Sequence, residues 1–214
     1  LDLDIETVHG TRIKRLGVKD GVSDLLGKAR NIEWGYDDEG GRTVQLLNPS
    51  TIVYHPPYED DSDLSREEQR KNMIENVATL KGSDLPLNAD IGLENIYKNT
   101  SLISSPEDVR KTNSKAKEMG VLEHVNYTLD IGHSSRPEEM IEAMTEEDNL
   151  SNVHIHDIIE IDDSRVADLM DAYPYNDDQE LIEWQERPGI YTHIPPGEGD
   201  IDFDPLLEKL DQSG

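Results

Sequence analysis

Short apolar runs alternate with amphipathic stretches along most of the chain. Strand-like runs lie at 1–8, 43–47, 51–54, 91–96, 125–131 and 153–155, and stretches with helical spacing lie at 65–80, 105–119, 135–144 and 204–210. Apolar residues at every third or fourth position form the stripe that a helix packs against a sheet. The repeated order of strand, loop and helix predicts an α/β fold in which helices cover a parallel sheet.

Capping signals define where several of these helices begin and end. Ser65 followed by Glu68 is a capping box, and Ser105 before a proline is an N-cap with proline in the first turn. The second of these helices is predicted to stop at Gly120. Ser135 with a glutamate three residues later predicts another capping box.

A single domain over 1–214 is the simplest division of the chain, because no linker or sequence repeat divides it. The segment 158–188 is acidic and longer than a usual connection. We therefore predict that it is an insertion near one mouth of the fold, with a short helix around Val166 to Met170.

The chain is strongly acidic, with 47 acidic and 20 basic residues among 214 and a net charge of −27. This charge is typical of proteins from halophilic organisms, in which salt screens self-repulsion. An acidic disordered tail is the alternative, but the charge is spread along a chain that keeps its apolar periodicity. The sparse basic residues argue against a nucleic-acid partner, although less strongly in a halophile.

Cysteine is absent, so the chain contains no disulfide and no thiolate metal site. No apolar run reaches membrane-spanning length and no signal peptide is visible, so we expect a cytoplasmic protein without a membrane partner. Self-association into a homo-oligomer is left open.

Histidines and carboxylates cluster behind the predicted strands. Five of the seven histidines lie in or near the blocks 54–57, 128–133, 153–157 and 193–199. The carboxyl ends of parallel strands open at one mouth of a barrel, so side chains placed there can meet. Mixed imidazole and carboxylate groups in such a position predict a divalent-metal site.

These blocks resemble the motifs of the xylose isomerase-like barrel superfamily. The matching residues, in the family's order, are Leu93-Glu94-Asn95, Asp130-Ile-Gly-His133, His154-Ile-His156-Asp157 and His193-Ile-Pro-Pro-Gly-Glu-Gly199. The resemblance covers roughly 51–210. The superfamily includes sugar and sugar-phosphate isomerases and epimerases, inosose dehydratases and type IV apurinic endonucleases. The resemblance implies a TIM (β/α)8-type barrel with its site at one mouth.

The resemblance also implies roles for individual residues. Glu94, Asp130 and His154 match the family's metal ligands, and Glu94 is in addition the candidate catalytic acid or base. His133 matches a histidine that binds substrate in epimerases and metal in the nuclease, so a catalytic role and a ligand role both stay open. His193 matches a position that contacts either substrate or metal.

Four further positions complete the predicted site. His55 and Asn95 are predicted to bind substrate, and Asp157 is predicted to orient a metal ligand from behind. Strand alternation would turn His156 away from the side occupied by His154, so we expect His156 to be structural.

The sequence departs from the family pattern in two ways. The eighth-strand glutamate, a ligand and catalytic carboxylate in the family, has no counterpart within these residues. Tyr191 stands where the nuclease has an aspartate, which argues against a three-zinc site. We therefore expect an incomplete barrel, without the final strand and with an atypical section before residue 51.

The leading hypothesis is a metal-dependent sugar or sugar-phosphate isomerase or epimerase that acts through an enediolate. It would use one divalent metal, Mn²⁺, Mg²⁺, Co²⁺ or Zn²⁺, and a small-molecule sugar or sugar phosphate. One alternative is a zinc-dependent phosphodiester hydrolase resembling the apurinic endonucleases. A second alternative is a non-catalytic degenerate or truncated barrel.

Overall fold

The computed structural model describes residues 7–9, 50–58, 62–81, 90–97, 101–160 and 190–213. The strand predicted at 43–47 and the short helix predicted around Val166 to Met170 lie outside these residues. Among the described helices, none is both long and apolar enough to cross a membrane.

Five parallel strands form the main sheet, in the same order in space as in sequence. They are β1 (Thr7–His9), β2 (Thr51–Tyr54), β3 (Asp90–Glu94), β4 (Asn126–Asp130) and β5 (Leu150–His154). Parallel neighbours require crossover connections, and helices supply most of them. A parallel sheet built in sequential order is the wall of a (β/α) barrel.

Four helices accompany the sheet. They are α1 (Arg66–Lys81), α2 (Pro106–Met119), α3 (Pro137–Thr145) and α4 (Asp204–Ser213), and a short 3₁₀ turn covers Leu122–His124. The apolar residues at helical spacing in α1 and α3 are all fully buried: Met73, Ile74, Val77, Leu80, Met140, Ile141 and Met144. Each such side chain contributes about 1.5–3 kcal/mol of burial free energy.

The two faces of the sheet have different neighbours. Ile52, Leu93 and Leu129 belong to one buried cluster with apolar residues of α1, α2 and α3. Alternate positions point to the opposite face. There, a Cβ on Gly92 would lie 2.3 Å from Thr128 Oγ1, so only glycine fits beside that threonine. The face away from the helices carries Glu94, Asp130 and His154 at the strand ends.

Two of the three predicted helix caps are confirmed. The Ser65 backbone N–H donates to Glu68 Oε2 at 3.0 Å and the Glu68 N–H donates to Ser65 Oγ at 3.3 Å. Ser105 caps α2, which ends at Gly120 in the left-handed region. The capping box predicted at Ser135 is wrong, because α3 begins after Arg136 without a side-chain cap.

The structure adds an antiparallel pair that the sequence pattern did not predict. Strand β6 (Asp157–Glu160) pairs with β7 (Ile190–Ile194). The predicted insertion at 158–188 therefore begins inside a strand, and its part beyond residue 160 lies outside the described residues. Only two residues separate the end of β5 from Asp157, the first residue of β6. The pair therefore places His193 beside the carboxyl ends of the parallel strands.

Candidate metal centre

Three predicted ligands occupy the last positions of three adjacent parallel strands. Glu94 ends β3, Asp130 ends β4 and His154 ends β5, and Asp130 and His154 are direct partners in the ladder. One ligand atom from each residue lies within 4.8 Å of the other two. The structure thus brings together three side chains that are separated in sequence by the intervening helices.

Both carboxylates of this group are buried and contact imidazoles. The side chains of Glu94 and Asp130 expose only 2% and 3% of their surface. His154 Nδ1 lies 2.8 Å from Glu94 Oε1 and 3.8 Å from Asp130 Oδ2. Two carboxylates removed from water this completely require strong compensation of their charge. A divalent cation between oxygen and imidazole donors would supply it, so the residues fit a metal such as Mn²⁺, Mg²⁺, Co²⁺ or Zn²⁺.

His55 connects this group to solvent. Its Nε2 lies 2.8 Å from Glu94 Oε2, and its side chain is 29% exposed while that of Glu94 is almost fully buried. His55 was predicted to bind substrate, and the structure places it at the open side of Glu94. This contact links the buried carboxylate to water through a partly exposed imidazole.

Asn95 holds the backbone of Asp130 in place. Its Nδ2 donates to the Asp130 carbonyl at 2.8 Å, and its Oδ1 accepts from the Asp130 backbone N–H at 2.7 Å. The side chain has no exposed surface. Both ends of its amide thus fix the strand that carries Asp130, and the substrate contact of Asn95 stays a prediction.

His133 is folded back onto the strand end that precedes it. Its backbone N–H donates to Asp130 Oδ1 at 3.0 Å, and its Nδ1 lies 3.1 Å from the Asn95 carbonyl oxygen. Since a carbonyl only accepts, Nδ1 carries the proton and Nε2 keeps its lone pair. Burial lowers the pKa of His133 and outweighs the opposing effect of nearby Asp130. The ring is thus neutral at pH 7.

His156 lies beside Asp130, so the prediction that strand alternation turns it away from His154's side is wrong. Strand β5 ends at His154, so the alternation that would turn His156 away does not extend to it. Its Nε2 lies 2.7 Å from Asp130 Oδ1. Burial lowers the pKa of His156, but hydrogen bonding and charge attraction from Asp130 outweigh it and raise the pKa above the ordinary value.

Gly132 leaves the space that the His156 ring occupies. This role of Gly132 was not predicted from the sequence. A Cβ on Gly132 would lie 2.1 Å from Cε1 of the His156 ring. Any side chain at this position would displace the imidazole from Asp130. A glycine between two candidate ligands, Asp130 and His133, therefore marks a close approach by a third group.

His193 stacks on His156 from a strained backbone position. The two ring centroids are 4.2 Å apart with planes inclined by 10°. The φ angle of His193 is 63°, which is unusual for a residue other than glycine, and its N–H donates to His156 Nδ1 at 3.1 Å. Such a conformation costs on the order of 1–3 kcal/mol and is found mostly at functional sites.

Asp157 anchors the turn that follows His193. Its carboxylate accepts backbone N–H donors from Ile158, Gly197, Gly199 and Ile201 at 2.8–3.0 Å. Burial raises the pKa of Asp157, but these four donors together lower it below its ordinary value. The carboxylate holds the Gly-Glu-Gly turn, and the Asp157 backbone carbonyl lies 3.2 Å from His156 Nδ1. The role predicted for Asp157, to orient a metal ligand, stays a prediction.

A sequence comparison agrees with this architecture. The family model described as xylose isomerase-like TIM barrel matches residues 40–214. The chain belongs to the xylose isomerase-like TIM barrel family. The predicted resemblance and the predicted α/β barrel class are thereby confirmed, and the five-stranded parallel sheet is the part of the xylose isomerase-like barrel seen in the described residues. Among curated proteins, none is significantly similar to the chain.

Three solved structures illustrate the similarity in fold. A crystal structure of IolI protein with a bound zinc atom has a TM-score of 0.61 at 16% identity, over 98% of this chain and 63% of that one. A D-tagatose 3-epimerase-like protein has a TM-score of 0.60 at 22% identity, over 96% and 66%. The 3-keto-D-glucoside 4-epimerase YcjR from E. coli has a TM-score of 0.56 at 18% identity, over 99% and 68%. At these identities the likeness shows the xylose isomerase-like fold, and the chain spans about two thirds of the length of each structure.

Proposed function

We propose that the chain is a divalent-metal-dependent sugar or sugar-phosphate isomerase or epimerase. The observation that carries the proposal is the convergence of Glu94, Asp130 and His154 at the carboxyl ends of neighbouring strands, with ligand atoms within 4.8 Å. Membership of the xylose isomerase-like family supports it, because similar folds include a D-tagatose 3-epimerase-like protein and a 3-keto-D-glucoside 4-epimerase. A fold alone does not fix the reaction, so the argument rests on the site.

Glu94, Asp130 and His154 would hold the cation. When bound, the cation supplies Lewis-acid polarisation of a substrate carbonyl and compensates the negative charge of an enediolate. Asn95 keeps Asp130 in position through the two backbone hydrogen bonds at 2.8 and 2.7 Å. The buried Asn95 amide thus fixes one proposed ligand, as hydrogen-bond partners behind the ligands commonly do in metal sites.

Glu94 is the proposed acid and base. It would remove the proton on the carbon next to the substrate carbonyl and return it in the reverse step. His55 lies 2.8 Å from Glu94 Oε2 and is partly exposed, so it can pass this proton to and from water. The predicted catalytic role of His133 is not part of the proposal, since that ring is buried and bonded to a backbone carbonyl.

A phosphodiester hydrolase is the second candidate. The observation that favours it is a further group of imidazoles, His133, His156 and His193, beside the first ligand set. Adjacent cations can stabilise both the attacking and the leaving oxygen in phosphoryl transfer. The net charge of −27 opposes binding of a nucleic-acid backbone.

Metal titration and isotope exchange test the proposal together. Calorimetric titration of the metal-free protein with Mn²⁺ should show one site that weakens by at least tenfold in Asp130→Ala and in His154→Ala. His124→Ala is the matched control, because His124 lies before the opposite end of β4 and its described ion pair is only Glu123 at 3.8 Å. Unchanged affinity in Asp130→Ala and His154→Ala would contradict the metal site.

Deuterium exchange then separates the two candidate reactions. Incubation of a panel of ketoses and their phosphates in D₂O with Mn²⁺ should introduce deuterium beside the carbonyl, read by NMR. Exchange requires only one base, so it tests Glu94 directly, and Glu94→Gln should abolish it. Absence of exchange with every sugar, together with hydrolysis of bis(p-nitrophenyl) phosphate, would replace the isomerase by the hydrolase.

A further inference from the structure

Arg66, Arg70 and Asp108 form a largely buried ion-pair group between helices α1 and α2. We propose that these three are positioning residues, which hold the contact between His55 and Glu94 in place at the candidate metal centre. The effect expected on catalysis rests on the proposed function, whereas the contact itself can be measured without substrate or metal.

One carboxylate in this group joins two guanidinium ions. Asp108 Oδ1 accepts from Arg70 Nη2 at 2.9 Å, and Asp108 Oδ2 accepts from Arg66 Nη2 at 3.0 Å. The side chains of Arg70 and Asp108 expose only 3% and 8% of their surface. Arg70 Nε also donates to Thr112 Oγ1 at 3.3 Å. Buried charges are costly to separate from their partners, so the group is a fixed point between the two helices.

The same side chains bind the segment 101–103, which lies shortly before α2. Arg66 Nη2 donates to the Ser101 carbonyl, and Arg70 Nη2 donates to the Leu102 carbonyl at 3.4 Å. The carboxylate of the group accepts from the hydroxyl groups of the two serines that follow the segment, at 3.1 and 3.0 Å. The planar guanidinium fork allows one arginine to bind a carbonyl and a carboxylate together. The buried charges therefore fix the backbone of the segment.

The segment 101–103 lies between the chain that follows β2 and the chain that follows β3. The Leu102 N–H donates to the Pro57 carbonyl at 3.1 Å. On the other side, the Ile96 N–H donates to the Ile103 carbonyl at 2.9 Å. The segment is thus hydrogen-bonded to both loops that leave the carboxyl ends of these strands.

Both hydrogen bonds lie two residues from the site. Pro57 follows His55 through Pro56, and each proline restricts its own backbone and that of the residue before it. His55 is therefore joined to the segment by a stiff link. Ile96 follows Glu94 by two residues, and both are buried. The distance of 2.8 Å between His55 Nε2 and Glu94 Oε2 thus depends on the segment and on the buried charges that hold it.

Nuclear magnetic resonance of the His55 ring tests the proposal without substrate or metal. A carboxylate only accepts, so Nε2 carries the proton in the contact with Glu94. In metal-free protein with ¹⁵N-labelled histidine, this N–H should give a resonance that exchanges slowly with water and is absent from His55→Gln. The exchange rate should rise about tenfold or more in Arg70→Lys, which keeps the charge but loses the guanidinium fork.

Arg110→Lys is the matched control. Arg110 lies on α2 and pairs with Glu146 at 3.0 Å, on the side of α3, so the same substitution there should leave the His55 resonance unchanged. The double variant Arg70→Met with Asp108→Leu removes both buried charges together, so neither is left unpaired. It should accelerate the exchange as Arg70→Lys does. Circular dichroism melting confirms that each variant is folded.

Deuterium incorporation into sugar measures the consequence for catalysis. Arg70→Lys should lower kcat about tenfold and change KM by less than about twofold, because the buried group positions the acid and base without contacting substrate. A role limited to stability would leave the kcat of the folded variant at the wild-type value.

The proposal is overturned if the wild-type chain gives no slowly exchanging His55 N–H, or if folded Arg70→Lys keeps the wild-type exchange rate. Should both buried variants unfold, Arg66→Met repeats the test at a side chain that is 24% exposed, and an unchanged rate there also overturns the proposal. Failure of the isomerase would appear instead as absent deuterium incorporation in the wild-type chain, with the His55 resonance responding as expected.

Discussion

At the scale of single residues, Asp130 and Asp157 show two uses of a buried carboxylate. Asp130 lies among imidazoles, with His156 Nε2 at 2.7 Å and His133 Nδ1 at 3.5 Å. Asp157 accepts four backbone N–H groups and has no exposed surface. The first carboxylate faces groups that can bind metal or exchange protons, whereas the second is saturated and holds a loop.

We expect Asp157→Asn to reduce the free energy of unfolding by about 2 kcal/mol at pH 7, because an amide NH₂ cannot accept from backbone donors. The donors lower the folded pKa of Asp157 below the unfolded value of about 3.9. The stability from ionised Asp157 is therefore complete above that value and is lost as pH falls through the folded pKa.

Chemical denaturation at several pH values checks this prediction. The difference between the wild-type chain and Asp157→Asn should be largest near neutrality and shrink below about pH 4. Asp148→Asn is the control, since Asp148 is exposed at φ 57°, which asparagine adopts readily. A difference that is independent of pH would show that the carboxylate charge is not what holds the turn.

At the scale of secondary-structure elements, helix beginnings differ in how they are stabilised. Ser105 Oγ accepts from the Asp108 N–H at 3.3 Å and donates to Asp108 Oδ2 at 3.0 Å. At the start of α3, Ser134 Oγ accepts from the Arg136 N–H at 3.1 Å, outside the helix, and Ser135 is exposed. Two serine-proline regions that look alike in sequence thus have different roles.

Ser105→Ala should destabilise the protein by about 1 kcal/mol, the usual loss for an N-cap. Ser135→Ala should change the free energy of unfolding by less than about 0.5 kcal/mol, as expected for a surface position without a specific role. Paired denaturation curves measure both. Equal losses for the two variants would mean that the capping box expected at Ser135 exists in solution.

The strand ends of the site could be predicted because each closes an apolar run. Glu94, Asp130 and His154 are the last residues of their strands, so a pattern of apolar positions followed by a ligand type locates them. Parallel order then requires these ends to meet. Local periodicity and one topological rule place these strand ends together, whereas the resemblance to the xylose isomerase-like superfamily supplied the ligand roles expected for Glu94, Asp130 and His154.

The part of the site around His156 and Asp157 depends on contacts that produce no periodic pattern in the sequence. The orientation predicted for His156 was wrong because alternation holds only while a strand continues, and β5 ends two residues earlier. The four donors to Asp157 come from backbone N–H groups, which every residue other than proline possesses. Gly132 and Gly199 were the available signals, because each permits a close approach that a side chain would block.

At the scale of the whole molecule, charge is the dominant feature. A net charge of −27 on 214 residues opposes the compact state through self-repulsion. Salt shortens the range of this repulsion, to about 3 Å at 1 M. We therefore expect a protein adapted to high salt, whose stability depends on ionic strength more than on any single ion pair.

The melting temperature should rise by several degrees between 0.1 M and 2 M KCl, because screening stabilises the folded state more than the expanded one. Differential scanning calorimetry measures it. Sucrose at equal osmolality is the control, since it favours compact states without screening charge. A melting temperature that is the same at both salt concentrations would remove the interpretation as a halophilic protein.

The order of the parallel strands would also link metal binding to folding. The candidate ligands on β3, β4 and β5 come together only when the sheet has formed, so the unfolded chain would offer an ion no comparable site. By mass action, an ion at about 100 times its dissociation constant adds about 2.7 kcal/mol to the folded state. The cation would then join three neighbouring strands of the barrel wall. Its removal by a chelator would lower the stability of the folded protein as well as abolish the proposed activity.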